Sequence, residues 1–158
     1  MRLLIFSDSH GATKDMASVV SKHGQTAEQT RVIFLGDYVK DCNALNFDGQ
    51  IHIVAGNCDF NSRYPNEQLL EIGGVKIWMT HGHLFNVKSS LAGIERAAAA
   101  QGAEICLFGH THEPMTFYNN GTLFLNPGSI SQPRGLYRKS YAVIELAENQ
   151  ISPQIVEL

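Results

Sequence analysis

Side chains that bind metal ions are concentrated in five short, glycine-flanked segments of the chain. Five of the seven histidines lie in these segments, together with aspartates and an asparagine. Carboxylate, imidazole and amide groups in this combination suit Mn²⁺, Fe or Zn²⁺. The pattern therefore predicts a metal site assembled from distant parts of the chain. In chain order the segments are Asp8-Ser9-His10, Gly36-Asp37, Gly56-Asn57-Cys58-Asp59, His81-Gly82-His83 and Gly109-His110-Thr111-His112.

The candidate ligands are too many for a single ion. A carboxylate such as Asp37 could bridge two ions about 3.5–4 Å apart, as in two-metal hydrolases. Each motif alone also has a structural alternative, since Asp8 could cap a helix, Gly36-Asp37 could be a turn and Asn57 could occupy a left-handed turn position. Their joint occurrence favours metal binding. The candidate ligands are Asp8, His10, Asp37, Asn57, His81, His110 and His112.

The three cysteines form no thiolate cluster. Cys42, Cys58 and Cys106 lack a C-x-x-C spacing, which argues against a zinc knuckle and is typical of reduced thiols in the cytosol. Cys58 lies among the candidate ligands, where it could be a nucleophile or a small buried thiol beside the site. An activated water leaves no task for a second nucleophile, and we therefore favour the buried thiol.

The elements that position these segments are predicted from apolar runs. Five such runs each end just before one of the segments, and ligands gather at the carboxyl ends of strands in open α/β sheets. Helices are predicted from Thr13 to about Gly24 and from about Lys88 to Gln101, whereas the C-terminal third consists of short strands joined by turns. This order predicts an α/β sandwich of two mixed sheets with helices outside. The predicted strands are 2–6, 31–35, 51–55, 75–79 and 105–108.

Composition narrows the class of protein. The chain has 158 residues, of which 44% are apolar and 17% charged, and this predicts a single domain spanning residues 1–158. A net charge of only −3 gives no basic field for generic nucleic-acid binding. The apolar run that begins at Leu3 stops at Ser7, too short for a signal peptide or a membrane span. We therefore expect a cytoplasmic protein that does not bind membranes.

The five motifs, in this order, resemble those of the calcineurin-like metallophosphoesterase superfamily. The resemblance covers about residues 1–135, and the size of the chain and the loop after Leu125 further resemble the small YfcE-type phosphodiesterases. It implies a four-layer αββα sandwich with a dinuclear site at one edge of the paired sheets. It also implies the ligand sets, which are Asp8, His10 and His112 for one ion, Asn57, His81 and His110 for the other, and Asp37 bridging both.

One position departs from the pattern of larger relatives. They carry a histidine after the asparagine, which protonates the leaving oxygen, whereas this chain has Cys58. A thiol is a poorer acid at neutral pH, so acid assistance is expected from His83 or from a metal-bound water. Asp59 could orient a ligand histidine, or it could pair with Arg63.

These features predict hydrolysis of a small phosphate ester, preferably a diester, by in-line attack of a metal-bridging hydroxide. Mn²⁺ is the expected metal, with Fe, Zn, Ni and Mg as alternatives, and Asn57 could also donate to a phosphoryl oxygen. Asn126, Ser129 and Arg134 either complete a phosphate cradle or are ordinary turn and surface residues. The alternative function is a scaffold, as in the subunit of the retromer coat that shares this fold. Exposed C-terminal strands could pair in a homo-oligomer.

Overall fold

The chain folds into two five-stranded sheets, each carrying one helix. The structure is a computed structural model that describes residues 1–23, 27–148 and 150–158. Its helices are α1 (Thr13–His23) and α2 (Ala92–Gln101), with short 3₁₀ turns at Ala27–Gln29, Val39–Ala44 and His83–Phe85. The strands are β1 (Arg2–Phe6), β2 (Thr30–Phe34), β3 (Gln50–Ile53), β4 (Glu67–Ile72), β5 (Val75–Thr80), β6 (Ile105–Leu107), β7 (Pro114–Asn119), β8 (Thr122–Pro127), β9 (Ser140–Ala147) and β10 (Gln150–Glu157).

Both sheets are mixed. The first has the strand order β10-β9-β1-β2-β3 and the second β4-β5-β6-β8-β7. The strands β1, β2 and β3 are parallel to one another, as are β5, β6 and β8, whereas β4, β7, β9 and β10 pair antiparallel. Parallel neighbours end at the same edge of a sheet, and the loops that follow them therefore lie side by side.

Alternation along β1 shows how the layers form. Leu3 and Ile5 face the second sheet and belong to a core with Ile33, Ile77 and Leu107, drawn from both sheets. The intervening residues face outward to a second core, which includes Met16, Val19 and Val20 of α1. A third core packs Ile94 and Ala98 of α2 against Trp78, Cys106 and Phe124 of the second sheet. The predicted αββα order of layers is confirmed.

Some predicted boundaries differ from the structure. Helix α1 ends at His23, and the predicted end at Gly24 lies outside the described residues. Helix α2 begins at Ala92, four positions after the predicted start, because Asn86 adopts a left-handed conformation and its carbonyl closes a separate turn with the N–H groups of Ser89 and Ser90. Among the described residues, no helix is long and apolar enough to span a bilayer.

Strand β4 was not predicted. Its sequence, Glu67-Gln68-Leu69-Leu70-Glu71-Ile72, alternates exposed and more buried positions, but two glutamates and an exposed Leu69 weaken the apolar pattern. An edge strand tolerates this composition because one side of its backbone has no partner strand. The strand pairs with β5 through its whole length.

Candidate metal centre

The loops after β1, β2 and β6 bring four candidate ligands together. Asp8, His10, Asp37 and His112 each offer one ligand atom, and these atoms all lie within 4.8 Å of one another. Three of the four side chains are buried and His10 is half-buried. Such a group matches the ligand set that the resemblance implied for the first ion.

A second group lies on the other side of Asp37. His81 Nε2 is 3.2 Å from Asn57 Oδ1, 3.2 Å from His110 Nδ1 and 3.5 Å from Asp37 Oδ1. The other carboxylate oxygen of Asp37 faces the first group, at 3.9 Å from His10 Nε2. The structure thus brings the seven predicted ligands into two adjoining groups that share the Asp37 carboxylate.

Unpaired buried atoms test whether a cation fits the first group. Asp8 Oδ1 and His10 Nε2 are buried and make no hydrogen bond with the described residues, although His112 Nε2 lies 3.0 Å from Asp8 Oδ1. Buried polar atoms are costly unless a hydrogen bond or a metal compensates them. A divalent cation would satisfy both atoms, and so the residues present fit a bound metal.

Backbone carbonyls fix the orientation of two histidines. His81 Nδ1 lies 2.7 Å from the Leu35 carbonyl and His112 Nδ1 lies 2.6 Å from the Gln132 carbonyl. Because a carbonyl oxygen only accepts, Nδ1 must carry the proton in both rings. In the neutral form of each ring the Nε2 lone pair then faces the centre, which is the arrangement that metal-binding histidines use.

The ligand loops have unusual backbone conformations. Five of the seven predicted ligands have a positive φ, between 38° and 68°. Left-handed backbone costs a non-glycine residue on the order of 1 kcal/mol, and such residues cluster at functional sites. The fold therefore tolerates strain where it turns these side chains toward a common point. The five residues are Asp8, His10, Asp37, His110 and His112.

Charge and burial set the protonation of the ligands. Burial raises the pKa of Asp8, but the close contact with His112 Nε2, the electrostatic effects of His81 and His112 and the hydrogen bond from Ser7 outweigh it, and the net shift is downward. Burial and the charges of His81 and Lys88 lower the pKa of His110 to about 4. An ionised carboxylate and a neutral imidazole at pH 7 are the forms that bind metal ions.

Asp59 caps the loop that carries Asp37. Its carboxylate accepts the N–H groups of Asp37 at 2.8 Å, Tyr38 at 2.8 Å, Val39 at 2.9 Å and Gly56 at 2.8 Å. Neither predicted role of Asp59 was right, because it contacts backbone amides in place of a histidine or Arg63. It acts on the centre by holding two strained loop residues, Asp37 and Tyr38, in place.

The structure also reveals a residue that sequence reasoning missed. The buried carboxylate of Asp41 accepts the Ser9 hydroxyl at 2.6 Å and the Gly11 N–H at 2.7 Å, and it thereby holds the loop that contains His10. Asp41 lies in a 3₁₀ turn with no motif around it. No local signal in the sequence could have identified it.

Asn126 and Ser129 were candidates either for a phosphate cradle or for ordinary turn and surface positions, and the structure gives them a different role. Both are fully buried. The Asn126 amide donates to the Gly109 carbonyl at 2.9 Å and to Thr111 Oγ1 at 3.0 Å, while the Ser129 hydroxyl donates to the Asp8 carbonyl at 2.7 Å. These bonds use both side chains to hold the ligand loops, which leaves them no exposed group for a substrate.

Arg134 remains available to an anion. Its side chain is exposed, and its backbone N–H donates to the His112 carbonyl at 3.3 Å. The adjacent Asp8 carboxylate raises the pKa of His112, and the positive charge of Arg134 opposes this rise. The guanidinium therefore lies close enough to the centre for its charge to be felt there.

Cys58 is exposed, contrary to the expectation of a buried thiol. Its N–H donates to Asp37 Oδ1 at 2.8 Å. Partial desolvation, the hydrogen bond to Asp37 and the surrounding carboxylates raise the pKa of the thiol to about 11. The thiol is therefore protonated at neutral pH, which argues against a nucleophile.

His83 stands at the edge of the second group. Its ring centroid is 5.4 Å from that of His81 and 6.1 Å from that of His110, and its buried Nδ1 makes no hydrogen bond with the described residues. Burial and the His81 charge lower its pKa. The side chain is half-buried and neutral at pH 7, close to the predicted ligands without joining them.

A sandwich of this topology, with such a centre where its parallel strands end, defines a class of metal-dependent phosphoesterases. The sequence profile of the calcineurin-like phosphoesterase superfamily domain matches residues 1–149. The chain belongs to this superfamily, and its predicted membership is confirmed.

Individual relatives agree with this assignment. The chain is 36% identical over 146 residues to the probable metallophosphoesterase YsnB of Bacillus subtilis, covering 92% of this chain and 85% of the relative. It is 29% identical over 170 aligned positions to the phosphodiesterase YfcE of Escherichia coli, covering 92% of this chain and 88% of that protein. The first of these relatives is named as a probable metallophosphoesterase and the second as a phosphodiesterase.

Solved structures share the fold. A predicted phosphoesterase from Streptococcus pneumoniae superposes with a TM-score of 0.83 at 32% identity, covering 99% of this chain and 88% of the other. Vps29 of Entamoeba histolytica, solved in complex with zinc, superposes with a TM-score of 0.78 at 20% identity, covering 99% and 98%. At that identity the likeness to Vps29 shows the fold alone.

Proposed function

We propose that this chain is a phosphodiesterase that uses two divalent cations. The observation that carries the proposal is the Asp37 carboxylate, whose two oxygens face two different groups of ligand atoms. One cation would be held by Asp8, His10 and His112, and the other by Asn57, His81 and His110, with Asp37 shared. When bound, such a pair lowers the pKa of water and neutralises charge on the phosphoryl oxygens.

Mn²⁺ is the metal we propose. Imidazole, carboxylate and amide oxygen ligands without a thiolate suit Mn²⁺ and also accept Fe, Zn²⁺, Ni²⁺ or Mg²⁺. Cys58 is the nearest thiol in sequence to the centre, and it is not among the four residues whose ligand atoms lie within 4.8 Å of one another. The donor set therefore favours metals that prefer oxygen and nitrogen.

Asn57 is suited to orient the substrate as well as to bind a cation. Its side chain is exposed, and its Nδ2 donates only to Cys58 Sγ, at 3.4 Å, among the described residues. A thiol is a weak acceptor, and the amide can give up that bond to donate to a phosphoryl oxygen. Lys88 and Arg134, whose charges act on His110 and His112, supply positive potential beside the same site.

His83 sets the kind of leaving group. Because its pKa is lowered, His83 is neutral at pH 7 and is a poor general acid. Its remaining N–H can still donate a hydrogen bond to a leaving oxygen. A site of this kind suits esters whose leaving group needs little protonation, such as aryl oxides.

The natural setting we propose is a reducing cytoplasm with a small phosphate ester as partner. Cys42 and Cys106 are buried as free thiols, and Cys58 is free and exposed, which suits a reducing compartment. A net charge of −3 supports a small substrate over nucleic acid. Every predicted ligand position carries a side chain able to bind metal, which favours an enzyme over the scaffold alternative.

The test compares metal-stripped protein with protein reloaded with Mn²⁺ on bis(4-nitrophenyl) phosphate, 4-nitrophenyl phosphate and cyclic nucleotides. We expect stripping to abolish turnover, Mn²⁺ to restore it and the diester to be the better substrate. Asp37→Asn should lose at least about 10²-fold in kcat, because an amide has a single, uncharged oxygen in place of the two carboxylate oxygens that face the two groups. Asp48→Asn, an exposed aspartate elsewhere, is the matched control. Full turnover in Asp37→Asn would exclude the bridging role.

A further inference from the structure

A cleft of about 580 Å³ opens beside the metal centre, on the side of His10 and Cys58. Its volume is within the range of pockets that enclose small organic ligands. The lining also includes two aromatic rings, Tyr38 and Phe60, together with Lys40. The cleft therefore combines access to the reacting phosphate with flat apolar walls.

Phe60 is the unexplained feature of this cleft. Its side chain is 87% exposed, so that a whole aromatic ring faces water two positions after the exposed Cys58. Burial of a large apolar side chain stabilises the folded protein, and an exposed Phe60 contributes no such stabilisation in the free protein. An exposed apolar group at the wall of a functional cleft is instead typical of a ligand contact.

Tyr38 is held in a costly conformation. It has a φ of 73°, directly after Asp37 with a φ of 62°. Asp59 stabilises these two consecutive left-handed residues by accepting both of their N–H groups. The result is that the Tyr38 ring lies against His10, with ring centroids 4.8 Å apart, on the cleft wall next to the centre.

Lys40 adds a cation to this wall. Its Nζ lies 5.1 Å from the centroid of the Tyr38 ring, and it has no ion pair with the described carboxylates. An ammonium group attracts the face of an aromatic ring and also an anion. The cleft thus offers two rings and one unpaired cation to whatever enters it.

We propose that this cleft recognises a flat aromatic substituent of the phosphate ester, an aryl ring or a nucleobase, by contact with Phe60 and Tyr38. The inference rests on the proposed function for the position of the phosphate. Contact between an aromatic side chain and a base is worth about five- to 150-fold in affinity. Aliphatic esters, which lack a flat face, forgo that contact and bind more weakly.

A binding experiment tests the cleft without requiring turnover. Phenylphosphonate and methylphosphonate are titrated calorimetrically into protein with Mn²⁺. We expect wild-type protein to prefer phenylphosphonate, and Phe60→Ala to weaken that ligand about five- to 150-fold while methylphosphonate is unchanged. Phe60→Trp, which keeps a flat ring, should restore the preference. Leu136→Ala removes a fully exposed apolar side chain outside the cleft and is the matched control.

Hydrolysis assays then distinguish an aryl ring from a nucleobase as the group that occupies the cleft. KM is measured for bis(4-nitrophenyl) phosphate and for 2′,3′-cyclic AMP, and Phe60→Ala should raise it for whichever class occupies the cleft. Equal binding of the two phosphonates, or a phenyl preference that survives Phe60→Ala, would overturn the cleft assignment. If wild-type protein prefers phenylphosphonate, Phe60→Ala loses that preference and no Mn²⁺-dependent turnover is found, the proposed function is refuted and the cleft assignment is supported.

Discussion

The carboxylate of Asp37 shows how one residue can serve two groups of ligands. The Cys58 N–H donates to its Oδ1 at 2.8 Å and fixes the rotation of the carboxylate about χ2. In that orientation Oδ1 faces His81 and Oδ2 faces His10. The sharing of Asp37 thus depends on a backbone amide contributed by the next loop.

The thiol of Cys58 provides a pH-dependent prediction. Because its pKa is raised to about 11, the reactive thiolate fraction is small at pH 7 and should grow about tenfold for each pH unit up to pH 11. Alkylation by iodoacetamide, followed by mass spectrometry on metal-free protein, measures this rate. The buried Cys42 and Cys106 are internal controls and should not react in the folded protein. Rapid, pH-independent alkylation at pH 7 would contradict the raised pKa.

The carboxylate of Asp59 provides a second prediction. Asp59→Ala leaves four backbone N–H groups without their acceptor, and we expect a loss of unfolding free energy on the order of 3 kcal/mol. Mn²⁺ affinity should fall as well, because the Asp37 loop loses its cap. Urea unfolding and calorimetry measure the two effects, with Asp48→Ala as control. An unchanged midpoint would show that the cap is dispensable.

At the scale of single residues, the sequence identifies which side chains belong to the site better than it identifies what each one does. The ligand candidates could be recognised because imidazoles and carboxylates beside glycine are a local signal. Asp59 and Asp41 could not be assigned, because most of their partners, which are backbone amides and the Ser9 hydroxyl, lie about 20 to 32 residues away in the chain. The role of Asn126 could not be assigned for the same reason, since the partners of its amide lie in the Gly109 loop.

Close approach between the backbones of two loops explains why residues 36 and 56 are glycines. A Cβ on Gly36 would lie 2.5 Å from the backbone nitrogen of Gly56, and one on Gly56 would meet Asp37 Oδ1. The loops after β2 and β3 therefore pack main chain against main chain. Only glycine permits this contact, which brings the Asn57 and Asp37 loops together.

This packing yields a third prediction, for Gly56→Ala. Gly56 has no positive φ, and its substitution should act through the clash with Asp37 alone. We expect Mn²⁺ affinity to fall at least about tenfold, as calorimetry would show. Gly102→Ala is the control, because a Cβ there meets nothing within 4 Å and the cost comes only from a φ of 63°. That variant should lose about 1 kcal/mol of stability and keep its metal affinity.

Elements were predictable where one pattern dominated. The central strands β1, β2, β5 and β6 are short apolar runs, and their existence followed from the sequence. The start of α2 was misplaced because the turn closed by the Asn86 carbonyl depends on a left-handed conformation that periodicity does not report. Pairing of β4 with β5 likewise became visible only in the three-dimensional structure.

At the scale of the whole molecule, the centre joins the two sheets. The first sheet supplies Asp8, His10, Asp37 and Asn57, and the second supplies the remaining three histidines. Hydrogen bonds already cross between the sheets there, for example from the His110 N–H to Asp8 Oδ2 at 3.1 Å and from His81 Nδ1 to the Leu35 carbonyl at 2.7 Å. Bound cations would add further links at the same edge.

Metal binding should therefore stabilise the sandwich as a unit. An ion that binds only the folded state adds about 1.4 kcal/mol of unfolding free energy for each tenfold rise in its concentration above Kd. Two ions per chain should give about 2.7 kcal/mol per tenfold. Urea unfolding at a series of Mn²⁺ concentrations measures this slope, and a value for two ions would support the dinuclear proposal.

Variants show how much each group of ligands contributes to the dependence of unfolding free energy on Mn²⁺ concentration. His81→Ala removes a ligand of the second group and should reduce the slope to the value for one ion. His52→Ala, at a histidine outside the centre, should leave the two-ion slope intact. A wild-type slope of about 1.4 kcal/mol that His81→Ala does not change would mean that one ion binds, at the group of Asp8, His10, Asp37 and His112.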